Sequence, residues 1–329
     1  MNTVLVKRLF SAIQTGKPDD VEALCRRIIE DERKRGHSHI AEDLDRIVSS
    51  RRNGTTVLAK QASKTLSPLP VSKRESAPLV HVIDHGHLRH HMVLPENVEA
   101  RLQTIEKEFA AKHRLAAHGL RPSRRILFYG PPGCGKSLGA ERLAWATGLP
   151  LHKVQFDTLL SSFFGETLTN LRRLFDEAAK SPCALFLDEC DTLARSRTER
   201  NDVGEINRIT NALLGFLEGY RGEGLIIAAT NLDSALDTAL FRRFDEVIKM
   251  PLPSALEIAR LLKTTLSAIR VEKGIDWAAT ASQLDGMSCS EVVQISQNAA
   301  KRCVMEGIKT VRKRHLIQAI QEYTLRSQH

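Results

Sequence analysis

The sequence has 329 residues, 42% hydrophobic and 26% charged, which is enough apolar content for one or two real cores plus an accessory segment. Its net charge of +9 makes an acidic partner worth weighing, but acids and bases alternate in stretches such as "EDERKRG" and no basic run is interleaved with aromatics, so specific nucleic-acid binding is disfavoured. No apolar run reaches the roughly 18 residues of a membrane span, the start "MNTVLVKRLFSAIQTGKPDD" lacks the pattern of an export signal, and the six scattered cysteines contain no CxxC pair and read as reduced thiols, so a cytoplasmic protein without a membrane partner is expected.

Residues 1–50 read as a small helical domain. "VLVKRLFSAI" and "DDVEALCRRIIEDERKRG" place apolar residues at helical spacing (Val21, Leu24, Cys25, Ile28), with Pro18 opening the second helix and Gly36 closing it. Residues 51–80 turn polar and carry Pro68, Pro70 and Pro78, which is linker composition. The next stretch, "HVIDHGHLRHH", holds five histidines (His81, His85, His87, His90, His91). With no cysteine nearby and no HExxH glutamate it reads as a solvated, pH-sensitive segment before a metal site.

From Pro95 the spacing predicts a long amphipathic helix to about His118. Apolar strands and amphipathic helices then alternate. The strands are "RILFY" (125–129), "LHKVQF" (151–156), "CALFLD" (183–188), "LIIAAT" (225–230) and "EVIKM" (246–250). That order predicts an α/β fold over residues 81–252, a mostly parallel five-stranded sheet with helices on both faces. Residues 253–329 look helical only and form a second, smaller domain.

"RILFYGPPGCGKS" fits the phosphate-loop pattern G-x-x-x-x-G-K-[ST] and stands between an apolar strand and a helix. Gly130, Pro131, Pro132, Gly133, Cys134, Gly135, Lys136, Ser137 and Leu138 are therefore the candidate nucleotide-binding residues. Glycines let the backbone N–H groups face phosphates, the helix N-terminus adds its positive end, Lys136 reaches the β and γ phosphates, and Ser137 holds Mg²⁺. "ALFLDE" closes a buried strand on two acids. Asp188 is placed to coordinate Mg²⁺ and Glu189 to act as general base on the attacking water. Asn231, at the end of "LIIAATN", is a neutral amide placed to orient that water, although Thr-Asn at a strand end is also ordinary turn chemistry. ATP with Mg²⁺ is the expected ligand.

Taken in order, "GPPGCGKS", "FLDECD", "AATN", "FRRFD" and "GMSCSE" resemble the AAA+ ATPases, in particular the AAA branch with katanin, spastin and the ATPase part of membrane AAA proteases. The resemblance covers roughly residues 90–325 and implies a five-stranded phosphate-loop domain, a helical lid and a hexameric ring. It implies that Arg242, helped by Arg243, reaches the γ-phosphate of a neighbouring subunit; on the sequence alone a solvated surface pair stays open. It implies that Phe163 and Phe164 of "SSFFGE", on a loop before the helix "ETLTNLRRLFDEAAK", grip a protein substrate in the axial channel. Loop aromatics folded into the core stay open for the pair, and "RSRTERNDVG" (195–204) would be a second, charged channel loop. In "GMSCSE", Cys289 and Ser290 replace the small residues of the family pattern, while Ser288 and Glu291 read as a capping box.

Three functions are weighed. A protein unfoldase or remodeller fits the arginine pair, the aromatic loop and the lid pattern. A nucleic-acid-associated loader or regulatory ATPase is the alternative suggested by the basic charge. A protease in the same chain is disfavoured, because the sequence holds neither HExxH nor a G-x-S-x-G elbow. A narrower resemblance, carried by "LPENVEARL" and "HGLRPSRRILFYGPPGCGKS" behind a short helical start, is to bacterial ATPases paired with a subtilisin-like protease in defence operons. It implies a separate serine protease as partner.

Overall fold

The computed structural model of the chain describes residues 29, 79–155, 164–189, 203–231 and 241–327. The chain divides into two units, residues 1–69 and 70–329, and the sheet with its helices belongs to the second. The helical N-terminal domain and most of the expected linker lie outside the described residues.

Six strands make the sheet: β1 (Val80–Ile83), β2 (Arg125–Tyr129), β3 (Leu151–Val154), β4 (Ala184–Leu187), β5 (Leu225–Thr230) and β6 (Glu246–Lys249). Their order is β1-β3-β4-β5-β2-β6. β2 to β6 run parallel, while β1 pairs antiparallel with β3, Val80 opposite Val154 and Ile83 opposite Leu151. The expected count of five strands is corrected to six. β1 takes in His81 of the histidine stretch and Val80 of the expected linker, and Leu79 and Val80 are buried.

Central parallel strands are covered on both faces and so read as continuous apolar runs. β4 and β5 are buried at every position. The period of two divides each strand between two cores. Leu127, Leu185, Leu187, Ile226 and Ala228 pack with Leu171, Leu174 and Phe175 of α4 (Phe164–Lys180) and Leu213 and Leu217 of α5 (Val203–Gly219). Ile126, Phe128, Phe186, Ile227 and Ala229 pack against α1 (Glu96–Ala110) and α3 (Lys136–Thr147) on the other face.

The helix expected from 95 to 118 is two helices. α1 buries Val98, Leu102, Ile105 and Phe109. That stripe ends at Phe109, the backbone bends at Ala111 (φ −90°, ψ 8°), and α2 (Lys112–Ala117) continues with no buried residue. Without an apolar face to fix its axis, the second segment departs from the first.

The C-terminal part packs α6 (Ala255–Thr265), α7 (Trp277–Ser282), α8 (Cys289–Met305) and α9 (Lys313–Ser327) around their own core. It is not helical only: β7 (Arg270–Val271) and β8 (Thr310–Val311) form a small parallel pair. Among the described residues no helix is long and apolar enough to cross a membrane.

Candidate active site

β2 ends at Tyr129 and α3 begins at Lys136, so "GPPGCG" must reverse direction in six residues. Gly133 (φ 75°) and Gly135 (φ 88°) lie in the left-handed region, which side chains disfavour. A Cβ on Gly133 would also collide with the Ser288 and Ser290 hydroxyls. The turn leaves the N-terminus of α3, with its positive dipole end, at the carboxyl edge of the sheet. Lys136 is buried, and its ammonium donates to the carbonyls of Gly130 (2.8 Å) and Pro131 (2.7 Å). Ser137 Oγ donates to Asp188 Oδ2 at 3.2 Å.

Asp188 and Glu189 follow the last buried residue of β4. Glu189 has φ 53°, and among the described residues it is the one non-glycine in that region. Such a backbone costs ~1–3 kcal/mol and is retained where surroundings or function require it. Glu189 is exposed, and its N–H donates to Asp188 Oδ1 at 3.1 Å. The sheet order explains Asn231. β5 lies between β2 and β4, so the residue after β5 sits between the phosphate loop and the acidic pair.

Opposite this edge stands α8. Ser288 caps it and Glu291 returns to Ser288 N at 2.7 Å, the expected capping box. Ser290 N donates to Gly133 O at 3.0 Å, so the helix start rests on the phosphate loop. Between them is a cavity of about 1220 Å³ lined by residues 132–138, Asp188, Glu189 and Asn231 on one side and by α6 and α8 on the other. Cys134 and Cys289 both line it. Burial raises both thiols, Cys289 to about 11, which keeps them protonated and slow to react near neutrality.

Sequence reasoning missed Arg89, His91, Met92, Arg260 and the α8 residues Val293, Gln297 and Lys301, which are among the other lining residues. The last three fall four apart and continue from Cys289, so the visible signal is a stripe on one helix face. Arg89 clamps the segment after β1 to α3: its backbone N–H and Nε donate to Glu141 Oε2 at 3.0 and 2.9 Å. Burial would raise the Glu141 carboxyl, yet the Arg89 bonds outweigh it and hold it below the usual range. His81, His85, His87 and His91 of the histidine stretch are exposed, as expected of a solvated segment, while half-buried His90 stacks on Trp145 with ring centroids 3.9 Å apart and His85 Nε2 lies 3.0 Å from the Trp145 carbonyl.

Residues 126–252 match the ATPase family associated with various cellular activities (AAA). An uncharacterized AAA family ATPase of Sinorhizobium fredii, y4kL, is 37% identical over 318 residues, which is 97% of this chain and 94% of that protein. The chain belongs to the AAA family. This AAA ATPase therefore hydrolyses ATP and uses Mg²⁺. The residues around the cavity fit that ligand: a left-handed glycine turn with no room for a side chain at Gly133, a helix N-terminus for phosphate, and Ser137 beside Asp188 as oxygen donors for a hard cation.

Arg242 and Arg243 are not among the residues that line the cavity. In "FRRFD" the aspartate is structural: Asp245 accepts from the N–H groups of Arg124 and Arg125, 2.9 Å each, and pairs with the Arg125 guanidinium. Arg243 pairs with Glu218 of α5 at 2.8 Å, while Arg242 is exposed. Phe163 lies outside the described residues. Phe164 is the first residue of α4, not a loop residue. Residues 195–202 of the expected charged loop are likewise outside, and Val203 and Gly204 already belong to α5.

Proposed function

We propose that this AAA ATPase assembles as a homo-oligomeric ring, a hexamer, and uses ATP hydrolysis to remodel or unfold protein substrates through a central channel. The observation that carries the chemical part is the meeting, around one cavity, of the phosphate loop, the Asp188–Glu189 strand end, Asn231 and the capped start of α8. Lys136 swings from the Gly130 and Pro131 carbonyls to the β and γ phosphate oxygens. Ser137 and Asp188 hold Mg²⁺, which when bound neutralises charge on those oxygens. Asn231 orients a water for in-line attack, and Glu189 takes its proton. Arg242, exposed at the corner leading into β6, reaches the γ-phosphate in the adjoining subunit. Arg243, tied to Glu218, steadies that corner.

The mechanical part rests on where β3 points. The chain leaves β3 at the same carboxyl edge as the phosphate loop and returns as α4 from Phe164, so Phe163 stands immediately before a helix whose strand connects directly to the site. On this reading Phe163, next in sequence to the start of α4, is the side chain that grips. The narrower resemblance extends the reading to a separately encoded serine protease that receives the substrate.

The Glu189→Gln protein, held with ATP and cross-linked in a lysate, tests the substrate class. Retention of protein that is released by ADP is expected. Retention of nucleic acid with no protein would replace this reading with the loader alternative.

A further inference from the structure

Of the cations near the site that belong to none of the motifs, Lys153 is the one paired with Asp188 among the described residues. Lys153 lies in β3 and is paired in register with Phe186 of β4, two residues before Asp188. Its side chain runs past the Phe186 ring, with Nζ 5.8 Å from the ring centroid, and ends 2.8 Å from Asp188 Oδ2. That oxygen also accepts the Ser137 hydroxyl at 3.2 Å, while Oδ1 accepts the Glu189 N–H at 3.1 Å. Both oxygens of the carboxylate are thus engaged by the protein itself, and one of the three donors carries a full positive charge.

We propose that Lys153 is a positioning residue that competes with Mg²⁺ for Asp188 Oδ2 and so sets the Mg²⁺ concentration at which nucleotide binds tightly. The proposal rests on Asp188 being the metal-side carboxylate. A hard divalent cation seeks anionic oxygen, and an ammonium at hydrogen-bond distance neutralises much of that charge. A lysine suits the part, being a point charge on a flexible stem that can leave, and its side chain is 42% exposed, so solvent is at hand to receive it. The same exposure limits the competition, because water screens the pair; a shift of roughly three- to tenfold in Mg²⁺ requirement is expected. Lys153 also keeps Asp188 aimed at Ser137 by balancing the carboxylate where β4 ends.

The test is equilibrium binding of a fluorescent, non-hydrolysable ATP analogue to the full chain over a Mg²⁺ titration. K153M should lower the Mg²⁺ midpoint about three- to tenfold, K153R should stay near wild type, and adding K153M to D188N should make no further difference. A folded K153M protein whose midpoint is unchanged or higher overturns the proposal; K153Q takes its place if K153M does not fold. D188N with a wild-type midpoint would instead overturn the metal-ligand reading beneath it, so the two failures are distinguishable.

Discussion

At the scale of single residues, Glu189 combines a costly backbone conformation with an exposed carboxylate beside a carboxylate already bound by Ser137 and Lys153. Glu189→Gln keeps the shape and removes the carboxylate proposed as the base. It should bind ATP within a few-fold of wild type and lower the turnover number by roughly 10²–10⁴, read by phosphate release against nucleotide fluorescence. Turnover within tenfold of wild type removes Glu189 from the base role. The residues legible in the sequence are those whose chemistry is contiguous, the phosphate loop and the Asp188–Glu189 strand end. Lys153 and Arg89 were not legible, because a lysine in a strand and an arginine in a histidine stretch acquire meaning only through strand register and through packing on α3. "FRRFD" reads as one unit along the chain, yet it holds three separate parts: an exposed arginine, an arginine paired with Glu218, and an aspartate that anchors β2.

At the scale of elements, the buried parallel strands were legible because burial on both faces leaves an unbroken apolar run. β1 was not, since four residues beginning a histidine-rich stretch carry little signal and its pairing with β3 is long-range. The break between α1 and α2 was missed because helical spacing continues across Ala111 while the buried stripe does not. The pairing of Asp245 with the start of β2 gives a pH prediction. Burial would raise this carboxyl, but Arg125 and the two backbone N–H groups outweigh it and hold it below the usual 3.8. A depressed carboxyl contributes stability that is present in full above its unfolded pKa and is lost as pH falls through the folded value. Asp245→Asn should therefore cost about 1–2 kcal/mol at pH 7, and the difference should shrink on acidification toward pH 3. Urea unfolding at the two pH values measures it; an equal difference at both would assign the cost to packing.

At the scale of the whole molecule, the cavity is walled by the sheet edge on one side and by α6 and α8 on the other, so a nucleotide bound as proposed would touch both. Ser290 resting on Gly133 joins the two sides by a contact between backbones, less tolerant of displacement than one between flexible side chains. The proposed ring follows if Arg242 completes a site on its neighbour, and this is the central claim, because the proposed remodelling of protein needs subunits that act in turn. Lys136→Ala loses its own nucleotide site but keeps the arginine. Arg242→Ala should keep the nucleotide site but, on the proposed arrangement, withhold the arginine from its neighbour. The decisive measurement is ATP turnover across mixing ratios of these two inactive proteins. Activity should recover, and recover most at intermediate ratios, where intact sites meet intact arginines. No recovery at any ratio, with mixed assemblies shown to form, would contradict an arginine acting between subunits.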